Sequence, residues 1–267
     1  MPDRPLRVLF IGDIIGRPGR RAVRKLLPEL RRRYDLDLVI ANGENAAGGI
    51  GLTPAVAEEL FQAGVDILTS GNHIWRYKEI IPYLEGERPI LRPLNYPPGV
   101  PGRGFIILND VVAVNLIGRI FMEPVDCPFR AMDELLKKLS AEGGNRKIII
   151  VDFHGEATSE KGALARYLDG RVSAVLGTHT HVGTIDAQIL PKGTAFVTDV
   201  GMVGPKESVI GDDVATVIRG FLHRIPVKMT VGKGDVIFNS VLLEIDPETG
   251  KAKSISRLDL EVKEDES

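Results

Sequence analysis

Short apolar runs alternate with amphipathic stretches through the first two-thirds of the chain. Residues 7–11 (RVLFI) form an apolar run that stops at Gly12. Ala22, Leu26, Leu30 and Tyr34 then recur every four residues, with Val23 and Leu27 beside them. That stripe predicts a helix, and Pro28 inside it predicts a kink or a break. Residues 36–41 (LDLVIA) read as a second buried strand. Residues 54–63 read as a helix, capped by Thr53 with Pro54 at its first position. A third strand follows at 65–69, and two more runs fill 106–117, split by the turn signal Asn109-Asp110. Residues 129–139 and 160–168 read as helices, and 147–153 and 172–176 as strands. Strands alternating with helices predict βαβ units and a mostly parallel sheet, an α/β fold.

The pattern changes after residue 180. Residues 187–200, 236–245 and 252–260 read as strands with only one helical stretch, 214–222, among them. A second, more antiparallel sheet is expected there. The Pro- and Gly-rich segment 89–104 reads as a loop, and the charged residues 261–267 are expected to fray. No repeat or linker divides the sequence, so one domain over residues 1–267 is expected.

Composition narrows the class. At 267 residues, 43% hydrophobic and 26% charged, the chain is ordinary globular material, not a disordered tail, a collagen or a coiled coil. Its single cysteine, Cys127, excludes an intrachain disulfide and suits a reducing compartment. The first apolar run is too short for a signal peptide core, and no run approaches a membrane span. A cytoplasmic protein without a membrane partner is expected. A formal net charge of −2 carries no global signature of nucleic-acid binding.

The chemistry lies at the ends of the buried strands. The runs end in Gly12-Asp13, in Asn42-Gly43-Glu44-Asn45, in Gly71-Asn72-His73, in His154-Gly155-Glu156 and in Thr178-His179-Thr180-His181. Strand carboxyl ends share one edge of a parallel sheet, and ligand sites form there. Four of the five histidines belong to this set, and His223 does not. Imidazole suits Zn, Cu, Fe and Ni, while carboxylate and amide oxygens add harder character that suits Mn. Each element has an ordinary reading taken alone: Asp after Gly caps helices, Asn-Gly makes turns, and a lone histidine is more often structural. Their coincidence at five strand ends is what points to a metal centre. One central carboxylate can bridge two ions, which then clamp the attacking and leaving oxygens of an in-line displacement.

These residues resemble the calcineurin-like metallophosphoesterases. Gly12-Asp13, Gly43-Glu44-Asn45, Gly71-Asn72-His73, His154 and Gly177-Thr178-His179-Thr180-His181 stand in that family's order. Two departures, Ile15 in place of the histidine of an Asp-x-His element and Glu44-Asn45 in place of a bridging aspartate, are similar to the bacterial YmdB-type subfamily, as are GDIIGRPGR, NGENAAGGIG, TSGNHIW, DFHGEATSEK and GTHTHV. The resemblance implies a four-layer α/β/β/α sandwich with two mixed sheets. It implies one ion on Asp13, Glu44, Asn45 and His181, and a second on Glu44, Asn72, His154 and His179. His73 would bind no metal and would protonate the leaving oxygen or hold the phosphoryl group. The implied ions are iron or manganese. The implied reaction is hydrolysis of small phosphodiesters, 2′,3′-cyclic nucleotides above all, by a hydroxide bridging the ions. Two divalent ions against two carboxylates and that hydroxide leave about one positive charge for a phosphate ester.

Other readings stay open on the residues themselves. The same centre could serve a broad phosphomonoesterase, a nuclease, or a metal- and nucleotide-binding regulator with slow turnover. A dinucleotide-binding module is disfavoured, because no Gly-x-Gly-x-x-Gly follows the first strand. The arginines and lysines between Arg17 and Arg33 read first as a solvated helix face, with a partner or RNA patch as the sharper alternative. Gly48, Gly49 and Gly51 could approach a phosphate. Trp75 and Tyr77 could stack on a base, although such aromatics more often pack in the core. Asp152, Glu156 and Asp199 are candidates to orient ligand histidines. Enzymes of this kind are commonly oligomers, and a homo-oligomer is expected.

Overall fold

The structure is a computed structural model that describes residues 4–141 and 147–264. In chain order its elements are β1 (Leu6–Ile11), β2 (Asp13–Ile14), α1 (Gly16–Tyr34), β3 (Leu38–Asn42), α2 (Pro54–Gln62), β4 (Ile67–Thr69) and α3 (Ile80–Leu84). Then come β5 (Phe105–Leu108), β6 (Val111–Ile117), α4 (Pro128–Ala141), β7 (Ile148–His154), α5 (Thr158–Leu168) and β8 (Ala174–Thr178). The last third holds β9 (Gln188–Ile189), β10 (Ala195–Val197), β11 (Met202–Pro205), α6 (Val214–His223), β12 (Val236–Phe238), β13 (Ser240–Ile245), β14 (Ala252–Arg257) and β15 (Leu260–Val262).

Two larger sheets face each other. One has the order β14-β13-β1-β3-β4, the other β5-β6-β7-β8-β10-β9. The period of two along each strand explains the layering. Val8, Phe10, Leu38 and Ile40 pack across to Ile148, Ile150, Ala174 and Leu176. Their neighbours Leu9, Ile11, Val39 and Ala41 point the other way, onto Val23 and Leu27 of α1 and Leu60 of α2. On the far side Ile149, Val151 and Phe153 pack on Met132 and Leu135 of α4 and Leu164 and Leu168 of α5. The result is helix, sheet, sheet, helix, with both sheets mixed. Among the described residues no helix is long and apolar enough to cross a membrane.

The last third does not build a sheet of its own, as its pattern suggested. Strands β13 and β14 join the first sheet, antiparallel beside β1. A small third sheet, β15-β12-β11-β2, arises because β11 inserts between the continuations of β13 and β1. That insertion breaks two expected strands. Residues 236–245 divide at Asn239, and 252–260 divide before Leu260, whose strand runs on to Val262 instead of fraying at 261. Residues 187–200 divide into the hairpin of β9 and β10. Residues 265–267 of the expected tail lie outside the described residues.

Helix α1 runs unbroken through Pro28. Pro28 and Arg24, the residue whose carbonyl it leaves without an intrahelical donor, are both exposed, so water can serve that oxygen. The Asn109-Asp110 turn is confirmed, with both residues at positive φ, as a tight hairpin between β5 and β6 requires. Segment 89–104 is loop apart from isolated bridges at Ile90, Leu91 and Arg103.

Candidate metal centre

The face between the two sheets is apolar along most of its length and turns polar at the strands' carboxyl ends. In β7 the inward positions read Ile148, Ile150, Asp152, His154, and in β3 they read Leu38, Ile40, Asn42. Thr69 and Thr178 close β4 and β8 on the same face, Asn115 stands there two residues before the end of β6, and all are buried. These groups satisfy one another across the sheets. Asp152 accepts from Thr69 and Asn42 of one sheet and from Thr178 of the other. Asn115 donates to the Ser70 carbonyl and accepts from the Ser70 amide. The floor of the site is thus a closed polar network, which holds its geometry better than isolated contacts would.

Above that floor stand the residues of the strand-end loops. They come from both large sheets, not from one edge of one sheet. Asp13 opens β2 where the chain leaves the first sheet, and no residue larger than glycine fits before it: a Cβ at Gly12 would lie 2.0 Å from the Gly201 carbonyl oxygen. Glu44 follows β3 in a turn closed by its own amide donating to Asn42 Oδ1 at 3.1 Å. His154 ends β7, and His179 and His181 follow β8 at φ 99° and 64°. Left-handed backbone at two non-glycine residues costs about 1–3 kcal/mol each and persists only where the surroundings enforce it. Asp199 does so, accepting the amide of Thr180 between them at 3.1 Å and the ammonium of the buried Lys161 at 2.7 Å.

Glu44, His154 and His179 each turn a ligand atom to one point, all within 4.8 Å of one another. Glu44 Oε1 is 3.0 Å from His154 Nε2, which is 3.0 Å from His179 Nδ1. The tautomers follow from the outer partners. Thr178 spends its hydroxyl proton on Asp152, so it must accept from His154 Nδ1 at 2.9 Å, which leaves Nε2 facing inward. Glu156 holds His179 Nε2 at 3.2 Å, leaving Nδ1 inward. The Ile210 carbonyl holds His181 Nδ1 at 2.6 Å, leaving its Nε2 3.7 Å from Asp13 Oδ1.

Two buried side-chain atoms lack a hydrogen-bond partner among the described residues: Asp13 Oδ1 and Asn72 Oδ1. Orphaned buried acceptors of this kind call for a cation or a donor. Charge argues the same way. Burial pushes Asp13 up, while Glu44 stays well below the carboxylate range because His154 and His73 outweigh its burial. Burial opposes the charge on His154, but Glu44, Asp13 and Asp152 prevail and raise it to about 9. Burial and the adjacent His154 push His179 down to about 3. A proton on His154 therefore stands where the acceptors converge, and a divalent ion fits the same place chemically.

Asn72 lies between Gly71, where a Cβ would meet Glu44 and His154, and His73, whose amide donates to Glu44. Asn45 turns its amide nitrogen to His181 Nε2 at 3.1 Å and its oxygen to His73 Nδ1 at 2.9 Å. His73 sits at the mouth, 34% exposed, with Nδ1 also 3.3 Å from Glu44 Oε1 and its amide on Glu44 Oε2. The model of the YmdB-like protein family matches residues 9–258. The chain belongs to the YmdB-like family.

Its relatives cover it almost end to end. A Bacillus subtilis (strain 168) protein named 2′,3′-cyclic-nucleotide 2′-phosphodiesterase is 46% identical over 258 residues, 95% of this chain and 96% of the relative. A novel phosphatase from Mycoplasma pneumoniae is similar in structure, with TM-score 0.90, 34% identity, and 98% and 95% of the two chains covered. So is a hypothetical protein of Thermus thermophilus, with TM-score 0.89, 50% identity, and 96% and 99% covered.

In this YmdB-like site Asp152 and Glu156 do orient histidines, the first through Thr178. Asp199 instead holds loop backbone. Trp75 packs partly buried beside Tyr96, ring centroids 5.8 Å apart, so the core reading holds for it; Tyr77 is half-buried and its hydroxyl donates to the Ala47 carbonyl. Sequence reasoning passed over Thr178 as a relay and Lys161 as a buried cation. Lys161 had a signal: it shares one helix face with Leu164, Ala165 and Leu168.

Proposed function

We propose that this protein is a dinuclear metal-dependent phosphodiesterase acting on 2′,3′-cyclic nucleotides, in the cytoplasm. The carrying observation is that Glu44, His154 and His179 bring ligand atoms within 4.8 Å of one another beside Asp13, whose Oδ1 is buried without a hydrogen-bond partner 3.7 Å from His181 Nε2. This supports one ion on Glu44, His154 and His179, with Asn72 as a further ligand, and a second on Asp13 and His181, with Glu44 shared; Asn45 joins the second once its amide turns its oxygen inward. Mixed imidazole and oxygen donors suit iron or manganese. Such a pair supplies, when bound, a nucleophile at neutral pH and charge for the phosphoryl oxygens.

The chain's own residues do the rest. The Thr178, Glu156 and Ile210 partners fix the three ligand histidines in their tautomers, so no reorganisation is needed when substrate arrives. His73 Nδ1 lies 3.3 Å from Glu44 Oε1, a contact that remains when the Asn45 oxygen turns away, and its Nε2 has no partner among the described residues. In the protonated ring that Nε2 gives its proton to the departing sugar oxygen. The likeness to the Bacillus subtilis 2′,3′-cyclic-nucleotide 2′-phosphodiesterase supports this substrate. The test is metal content together with hydrolysis of 2′,3′-cyclic AMP before chelation, after it and after metal return. About two ions per chain, with activity lost and restored, is expected. A protein that takes up no metal on reconstitution would overturn the reading.

A further inference from the structure

A cavity of about 630 Å³ adjoins the metal centre and has no part in the roles above. Arg92, Arg119 and Arg130 line it, with Tyr96, Asp126 and Glu134. Its nearness to the centre is fixed by backbone. Tyr96 Oη donates to the Gly71 carbonyl at 3.4 Å, and a Cβ at Gly71 would lie 2.2 Å from Glu44 Oε2 and 2.4 Å from His154 Nε2. On the other wall the Gly118 amide donates to the His154 carbonyl at 2.8 Å, and Arg119 is the next residue. Glu160 pins that turn by accepting the amides of Arg119 and Ile120 at 3.0 and 3.1 Å.

Among the described residues the three guanidiniums form no ion pair. Arg92 is half-buried and meets only carbonyl oxygens, those of Pro93, Leu94 and Pro101. The side chains of Arg119 and Arg130 make no hydrogen bond or ion pair among the described residues. Asp126 and Glu134 share the lining but form no ion pair with any of the three among the described residues, so the charged lining keeps a net positive charge. Planar guanidiniums that line a concave space and are not tied to a carboxylate match phosphate geometry better than that of any neutral group. The volume is that of a nucleotide-sized pocket.

We propose that this cavity is a second anion subsite, which holds the phosphate one sugar away from the diester being hydrolysed. The proposal rests on the reading of the metal centre given above. It makes the preferred substrate a 2′,3′-cyclic nucleotide that carries a 5′-phosphate, as the last nucleotide of a cleaved RNA strand does.

The test compares adenosine 2′,3′-cyclic phosphate with and without a 5′-phosphate on the metal-loaded protein. About a tenfold higher kcat/KM for the 5′-phosphorylated form is expected, the worth of one good charge-assisted contact. The double variant Arg119→Gln/Arg130→Gln should bring that ratio close to one. Calorimetry on the chelated protein gives an independent readout: 5′-AMP should bind more tightly than adenosine, by a margin that shrinks with added salt. Equal kcat/KM for the two substrates in the unaltered protein overturns the subsite and leaves the phosphodiesterase reading intact. A ratio that survives the double variant overturns it as well. If neither substrate is hydrolysed, the phosphodiesterase reading fails, and a 5′-AMP preference lost in the double variant still upholds the anion site. Equal binding of 5′-AMP and adenosine refutes it.

Discussion

Lys161→Met is the most informative single change in the molecule. The ammonium is fully buried and donates to the Thr178 carbonyl at 2.8 Å and to Asp199 Oδ2 at 2.7 Å. Its stem crosses Gly177, where a Cβ would come within 3.0 Å of Lys161 Cδ, so the channel is built for this side chain. Methionine keeps the stem and removes the charge. Asp199 is then left in the interior with two amide donors, from Thr180 and Gly201, and no cation. Breaking a buried pair on one side costs about 3–5 kcal/mol, mostly because the remaining charge is uncompensated. Asp199→Asn removes that charge, so the double variant should recover part of the loss, with a coupling of about 1–3 kcal/mol. Urea unfolding of the chelated protein reads both through the midpoint at constant slope. Metal affinity should fall in parallel, because Asp199 holds the backbone between His179 and His181. A loss below about 1 kcal/mol for Lys161→Met, or simple additivity with Asp199→Asn, would refute the argument that this pair holds the loop.

The same geometry sets further expectations. Glu44→Gln should reduce both metal content and turnover, and unchanged values for both would exclude a shared ligand. His73→Ala should spare metal content and slow esters with poor leaving groups most; an equal loss across leaving groups would assign His73 to holding the phosphoryl group. Because His154 is raised to about 9, loading the centre at pH 7.5 should release about one proton, which calorimetry in buffers of different ionisation enthalpy can count. The sign in the metal-free protein is definite: the stability contributed by that proton is complete below the unfolded value of about 6.5 and is lost as pH rises through about 9. Gly12→Ala should destabilise by at least about 1–3 kcal/mol in urea unfolding, because both atoms of the clash are fixed by backbone.

The strand ends were legible for a physical reason. A strand buried on both faces needs an unbroken apolar run, so its end is marked wherever polar residues begin. Asn42, Thr69 and His154 mark such ends, and the candidate ligands cluster around them. Even the floor had a signal, since the inward positions of β7 pass from isoleucine to Asp152 and His154 at a strict spacing of two. The division of the sheets was not legible. Whether residues 236–245 form one strand or two depends on β11 entering between β12 and β2, a pairing set by residues far apart in the chain. No local pattern at Asn239 distinguishes the two cases. The histidine tautomers were equally out of reach, because each depends on a partner from another loop: Thr178 for His154, Ile210 for His181. The identity of the candidate ligands is thus written locally in this chain, while their orientation is a tertiary property. Substitutions at Thr178 or near Ile210 should therefore disturb the centre without touching a single ligand.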